Sequence, residues 1–235
     1  MKVTKASFTE QVRAQTQPYW EGSFRHPFLT ELQAGTLPLA KFRYYLIQDG
    51  EYLRHFAHLY QVVADRTDIP ALRKQMQTNA MQLAAGELLV RQTFFEELGI
   101  GATEIAATAI APTTYHYVSH LYRQFMEANE IVAAASLLPC SWLYFEIGQA
   151  LRRATTPSPI SYYQQWIETY GGEEARVAIE QECQLLNQLY EKSSIQQQQQ
   201  MIQAFVISAK MEFAFWDMAY QLETWPVGIK EEKEV

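Results

Sequence analysis

Strand signals are almost missing from this chain. No alternating run of Val, Ile or Thr is bounded by an Asn-Gly or Asp-Gly turn, which argues against sandwiches, barrels and hairpins. Cysteine is scarce: Cys140 and Cys183 are the only two. They form no CxxC pair and no zinc spacing, and two such thiols fit a reducing cytoplasm. Positive charge is in the minority, with 19 Lys and Arg against 26 Asp and Glu and a formal net charge of -7. No Lys/Arg stripe meets the eye, so a nucleic-acid partner is not expected. No stretch approaches the roughly 20 apolar residues that a membrane helix needs. The opening MKVTKASFTEQVRAQTQ lacks the apolar run of a secretory signal. A soluble, cytoplasmic protein with no membrane partner is the expectation. Pro/Gly/Ser-rich linkers and fixed-period repeats are also missing. Residues 1–235 are therefore read as one domain, ending in a charged tail from about 226.

What is present is helical periodicity. In TLPLAKFRYYLIQDGEYLRHFAHLYQVVAD (36–65), Phe42, Tyr45, Leu46, Asp49, Tyr52, Leu53, Phe56, Tyr60 and Val63 recur at three and four residues. Further helices are predicted near 5–18, 69–98, 113–128, 130–154, 158–169, 172–191 and 195–222, the last opening with the QQQQQ run. Breaks fall at Pro70, Gly99 to Gly101, Pro112, Pro157 with Pro159, and Gly171-Gly172. The fold class is all-α, a multi-helix bundle.

Three residues sit where an apolar stripe leads one to expect something else. Asp49 shares a face with Tyr45, Leu46, Tyr52 and Leu53. A buried carboxylate costs several kcal/mol unless paired, so Asp49 is either one half of an interhelical salt bridge or a ligand-binding group. Glu212 repeats the pattern among Phe205, Ser208, Phe215 and Ala219, with Lys210 pointing elsewhere, and the same two readings apply. Cys140 follows Pro139 in LLPCSWLYFEIG (137–148), on a face with Leu137, Leu143, Tyr144 and Ile147. Pro139 has no N–H and leaves the carbonyl near Ala135 without its usual partner. Cys140 is thus an inert core thiol or a nucleophile presented at a bend. Cys183, in EQECQLLNQLY, reads as structural. Glu51 precedes His55 by four residues, and His116 and His120 are also four apart, while His26 in FRHPFL reads as a helix start or loop. The paired Glu-x-x-His motifs of a di-metal bundle are missing, so neither a metal nor another cofactor is expected.

Five stretches then carry a resemblance: WEGSFRHPFLTELQAGTLPLAKFRYYLIQDGEYL (20–53), YHYVSHLYR (115–123), LLPCSWLYFEIG (137–148), WIETYGG (166–172) and FVISAKMEFAFWDMAY (205–220). In combination and order the chain resembles the TenA family, the thiaminase II enzymes, and within it the branch with an active-site cysteine. The resemblance implies a fold like that of haem oxygenase, without haem, assembled as a homotetramer. It implies hydrolysis at a pyrimidine methylene in thiamin salvage. The substrates would be 4-amino-5-aminomethyl-2-methylpyrimidine and thiamin, and the product the 5-hydroxymethyl pyrimidine. Cys140 falls on the family's nucleophile, adding next to ring nitrogen N1, and Glu212 on the acid at N1. Asp49 falls on the anchor for the 4-amino group, and Tyr52, Tyr117, Tyr144 and Tyr170 on the pocket tyrosines. There are two departures. Arg91 stands where the family often has the His of an E-x-x-x-H pattern beginning at Glu87, and SAKM (208–211) stands where tyrosines are common. Neither is expected to touch the chemical core directly. Two other readings of the same pocket are a metal-dependent oxidase and a non-catalytic pyrimidine binder. The first leaves Cys140 unexplained, and the second has no need of a nucleophile.

Overall fold

The computed structural model describes residues 6–154 and 156–226, without the side chains of 87–90. Among the described residues every regular element is a helix: α1 (Phe8–Phe24), α2 (Pro27–Ala34), α3 (Leu39–Arg66), α4 (Pro70–Ala85), α5 (Glu87–Glu97), α6 (Ala102–Ala107), α7 (Pro112–Glu127), α8 (Glu130–Arg152), α9 (Ser161–Thr169), α10 (Glu173–Lys192) and α11 (Ile195–Gln221). The predicted all-α class is what the chain adopts. The charged tail falls, but for Pro226, outside the described residues.

The local chemistry explains most boundaries. Ser7 and Glu10 close a capping box at the start of α1. Proline occupies the first turn of α2, α4 and α7, where its missing N–H has no helical partner to lose. His26 caps α2 by accepting the Phe28 amide on Nδ1 at 3.1 Å, so it is indeed a helix-start residue. Two boundaries and two short helices differ from expectation. α1 runs through Pro18 to Phe24 instead of stopping at 18, because one lost backbone bond is offset by the burial of Trp20 and Ser23 on its last turns. The predicted 69–98 helix divides at Gly86, whose φ of -101° and ψ of -92° are not helical. Two short helices, α2 and α6, lie in segments that carry too few periodic positions to register.

Four helices build the centre. Each of α3, α7, α8 and α11 packs against the other three, with α8 lying longest along α11. α8 corrects one expectation: by length and composition it qualifies as a membrane-spanning helix, yet 78% of its most apolar window is buried by its neighbours. Burying side chains such as Leu137, Leu143 and Ile147 contributes about 1.5–3 kcal/mol each, which accounts for the apolar sequence without a bilayer.

Candidate functional site

The four central helices each carry candidate site residues: Asp49 and Tyr52 on α3, Tyr117 on α7, Cys140 and Tyr144 on α8, and Glu212 on α11. All are buried, Asp49, Tyr52, Cys140, Tyr144 and Glu212 on the faces that the periodicity assigned to them. Tyr170 comes from the end of α9. Its position depends on two glycines. A Cβ at Gly148 would lie 2.4 Å from the Tyr170 carbonyl carbon, and one at Gly171 would lie 2.6 Å from the Gln149 nitrogen. Gly171 also holds φ at +83°, in the left-handed region. The turn therefore rests backbone against backbone on α8. Gly171→Ala is expected to cost about 2 kcal/mol or more and to lower the melting temperature by several degrees. An unchanged thermal transition would mean that the turn yields freely.

Cys140, Tyr144 and Tyr170 line one cavity of about 400 Å³, bounded by α3, α4, α8, α10 and the 169–172 turn. Tyr144 and Tyr170 meet edge to face with centroids 5.0 Å apart. Asp49, Tyr52, Tyr117 and Glu212 are not part of its lining; they form a buried group adjoining it. Tyr52 links the two, stacking on the cavity residue Phe56 at 5.3 Å and packing on Tyr117 at 4.8 Å. It also lies within electrostatic reach of both Cys140 and Glu212. The Tyr117 hydroxyl donates to Glu212 Oε1 at 2.5 Å. Burial pushes the hydroxyls of Tyr45, Tyr52, Tyr117 and Tyr144 well above the ordinary phenol value, so they remain protonated donors.

Asp49 is paired. Arg91 Nη2 binds Asp49 Oδ2, while Arg91 Nη1 donates to the Leu46 carbonyl at 3.1 Å. The Tyr45 hydroxyl also bonds the carboxylate and lies 3.2 Å from the Tyr144 hydroxyl. Burial raises the Asp49 carboxyl above its usual value, and Arg91 and Tyr45 pull it back. The expectation that Arg91 stays clear of the core is thus corrected: this departure is the direct ion-pair partner of Asp49. A relay runs Arg91, Asp49, Tyr45, Tyr144, and in the sequence Tyr45 reads only as a member of the apolar stripe. Of SAKM, Ser208 and Ala209 are buried and Lys210 lies over the Tyr19 ring at 5.6 Å, away from Glu212.

The histidines disperse. His55 bonds Glu51 and Tyr122, His120 meets the Ala204 carbonyl, and His116 packs on Trp225. Neither cysteine is in a disulfide. Burial, with help from Glu182, pushes the Cys183 thiol up to about 12, which agrees with a structural role.

The sequence reading missed Glu182. This α10 carboxyl lines the cavity with Cys140, and its Oε2 accepts from Asn79 Nδ2 at 2.9 Å. Burial raises it from 4.5 to about 7. The unfolded chain releases this proton near the ordinary value, whereas the folded chain keeps it until about 7, so stability falls as pH rises between the two. Above the folded value the penalty is complete, on the order of 3 kcal/mol at ~1.4 kcal/mol per unit. Glu182→Gln is therefore expected to raise the melting temperature on the alkaline side of neutrality. The gain should vanish toward the acid end of that window. A gain that does not depend on pH would contradict the assignment.

Comparison with known proteins adds a lineage. The profile of the TENA/THI-4/PQQC family matches residues 13–222. The aminopyrimidine aminohydrolase of Bacillus subtilis (strain 168) is 38% identical over 228 residues, covering 97% of this chain and 96% of that protein. A TenA homologue from P. horikoshii OT3 superposes with a TM-score of 0.81 at 24% identity, covering 92% of this chain and 99% of the other. A domain of unknown function from Shewanella denitrificans OS217, described as having a heme oxygenase-like fold, superposes with a TM-score of 0.69 at 14% identity, covering 94% of each chain. The haem-oxygenase-like architecture expected from the sequence is the one observed.

Proposed function

The chain belongs to the TENA/THI-4/PQQC family, and on that premise we propose that it is an aminopyrimidine aminohydrolase of thiamin salvage, from the branch that uses a cysteine. It converts 4-amino-5-aminomethyl-2-methylpyrimidine to the 5-hydroxymethyl pyrimidine and ammonia, and cleaves thiamin at the same methylene. The same resemblance implies a homotetramer, of subunits that the sequence reads as single-domain and cytoplasmic, and light scattering reads that assembly. The observation that carries the reading is the convergence of a thiol, two buried carboxyls and four tyrosines on one cavity and the buried group adjoining it.

The chemistry that the resemblance implies gives each of these groups a part. Cys140 sulfur adds to the ring carbon next to N1, and its proton passes by way of Glu212 to N1, so the ring becomes a neutral dihydropyrimidine. Tyr117, donating to Glu212 Oε1, fixes the carboxyl for that transfer. Asp49 accepts from the 4-amino group. This helps push that nitrogen's electron pair through the ring and expel the leaving group from the exocyclic methylene. Arg91 and Tyr45 hold the Asp49 carboxylate in place, and a carboxylate with four lone-pair sites has capacity for a ligand donor besides them. Water adds to the methylene, the electrons return, and the thiolate leaves as N1 gives back its proton. Tyr52 stacks on the ring, while Tyr144 and Tyr170 order the thiol and the water.

The test is chromatography of the pyrimidine product together with ammonia release, with thiamin run in parallel. Turnover that survives a chelator is expected. A folded protein that turns over neither compound would defeat the reading.

A further inference from the structure

α10 carries Glu182 into the wall of the cavity that holds Cys140. The residue is 2% exposed. Its Oε2 is fixed by Asn79, which is itself fixed by Gln75 Nε2 donating to Asn79 Oδ1 at 2.9 Å. Its Oε1 is buried without a hydrogen-bond partner. Among the described residues no Lys, Arg or His lines this cavity, and the carboxyls on its wall are Glu174 and Glu182. A buried acceptor kept at a cost to stability, paired on one oxygen and unpaired on the other, with no cation on the cavity wall, matches a cationic N–H donor.

We propose that Glu182 forms a subsite for a primary ammonium carried on the exocyclic methylene of the pyrimidine. The proposal deepens the hydrolase reading and rests on it, since it places the ring at Cys140. The aminomethyl group is protonated at neutral pH, and an N–H of that ammonium donates to Oε1. Holding the group aims the carbon–nitrogen bond that must break. The ammonium leaves as neutral ammonia with the bonding electron pair, so Glu182 neither gains nor loses a proton in the step. The pair also selects substrates: a neutral substituent on the same methylene gains nothing from the carboxylate.

The test is calorimetric binding in the Cys140→Ser background, with and without Glu182→Gln, slightly above neutral pH. The ligands are 4-amino-5-aminomethyl-2-methylpyrimidine and its neutral 5-methoxymethyl counterpart. Glutamine keeps the Asn79 contact and turns its amide toward the cavity, and it removes a buried carboxyl, so the variant is expected to fold. The dissociation constant for the aminomethyl compound should rise at least about tenfold, the scale of one charge-assisted hydrogen bond, while that for the methoxymethyl compound stays within about twofold. Equal weakening of both, no change in either, or no binding of the aminomethyl compound with Glu182 intact would overturn the subsite. Turnover by the otherwise native enzyme is scored separately. Its absence defeats the hydrolase reading, while the two dissociation constants still decide the subsite.

Discussion

Cys140→Ser should lose turnover of the aminomethyl pyrimidine by on the order of a thousandfold or more, with the melting temperature scarcely altered. The substitution exchanges one small side chain for another at a buried position, so packing changes little. What changes is the nucleophile. A serine hydroxyl is far less acidic than a thiol, and among the described residues no imidazole or amine lines the cavity to take its proton. A cysteine that served only as packing would give the opposite pattern, with a small shift in stability and full activity. Ammonia release and chromatography on the purified variant, beside a thermal scan, separate the two. Retention of a tenth or more of wild-type turnover would remove Cys140 from the chemistry.

How far such a site can be read from sequence is seen in its carboxylates. Asp49 and Glu212 stood out because each breaks an apolar stripe, and both are buried at the centre. Glu182 breaks a stripe by the same rule. It falls between Ile179 and Leu186, as Asn79 falls between Met76 and Leu83, and all of these residues are buried. That signal is easily passed over, because α10 also carries Glu173 and Glu180 on its exposed side, where carboxylates are ordinary. Arg91 shows the other limit. Nothing in its own helix predicts a partner 42 positions away, since the pair exists only once α5 has docked on α3. The division at Gly86 is similar, as glycine within an apolar period can be tolerated or can end a helix, and tertiary packing decides. The architecture was legible because long amphipathic helices leave few alternatives. The cavity was not, because it depends on the close contact of Gly148 with the Tyr170–Gly171 backbone, which no periodicity encodes.

Glu212→Gln is the second large effect expected, a loss of about 10²–10⁴ in kcat with KM nearly unchanged. Glutamine preserves the volume and an oxygen that can still accept from Tyr117, whose hydroxyl lies 2.5 Å from Glu212 Oε1 in the native chain. It cannot pass a proton between the thiol and ring N1. Sulfur addition would then leave negative charge on a ring nitrogen inside a buried site, where charge is poorly solvated. Tyr117→Phe removes the group that aims the carboxyl but leaves the proton transfer possible, so its loss should be the smaller, about tenfold. The ordering of the two variants carries the inference. If Glu212 only anchored the ring, Glu212→Gln would raise KM and spare kcat. If it only satisfied Tyr117 within the core, the two variants would lose stability alike and activity little. A kcat that falls far more in Glu212→Gln than in Tyr117→Phe, at matched KM, is the pattern that only a proton-transferring carboxyl produces.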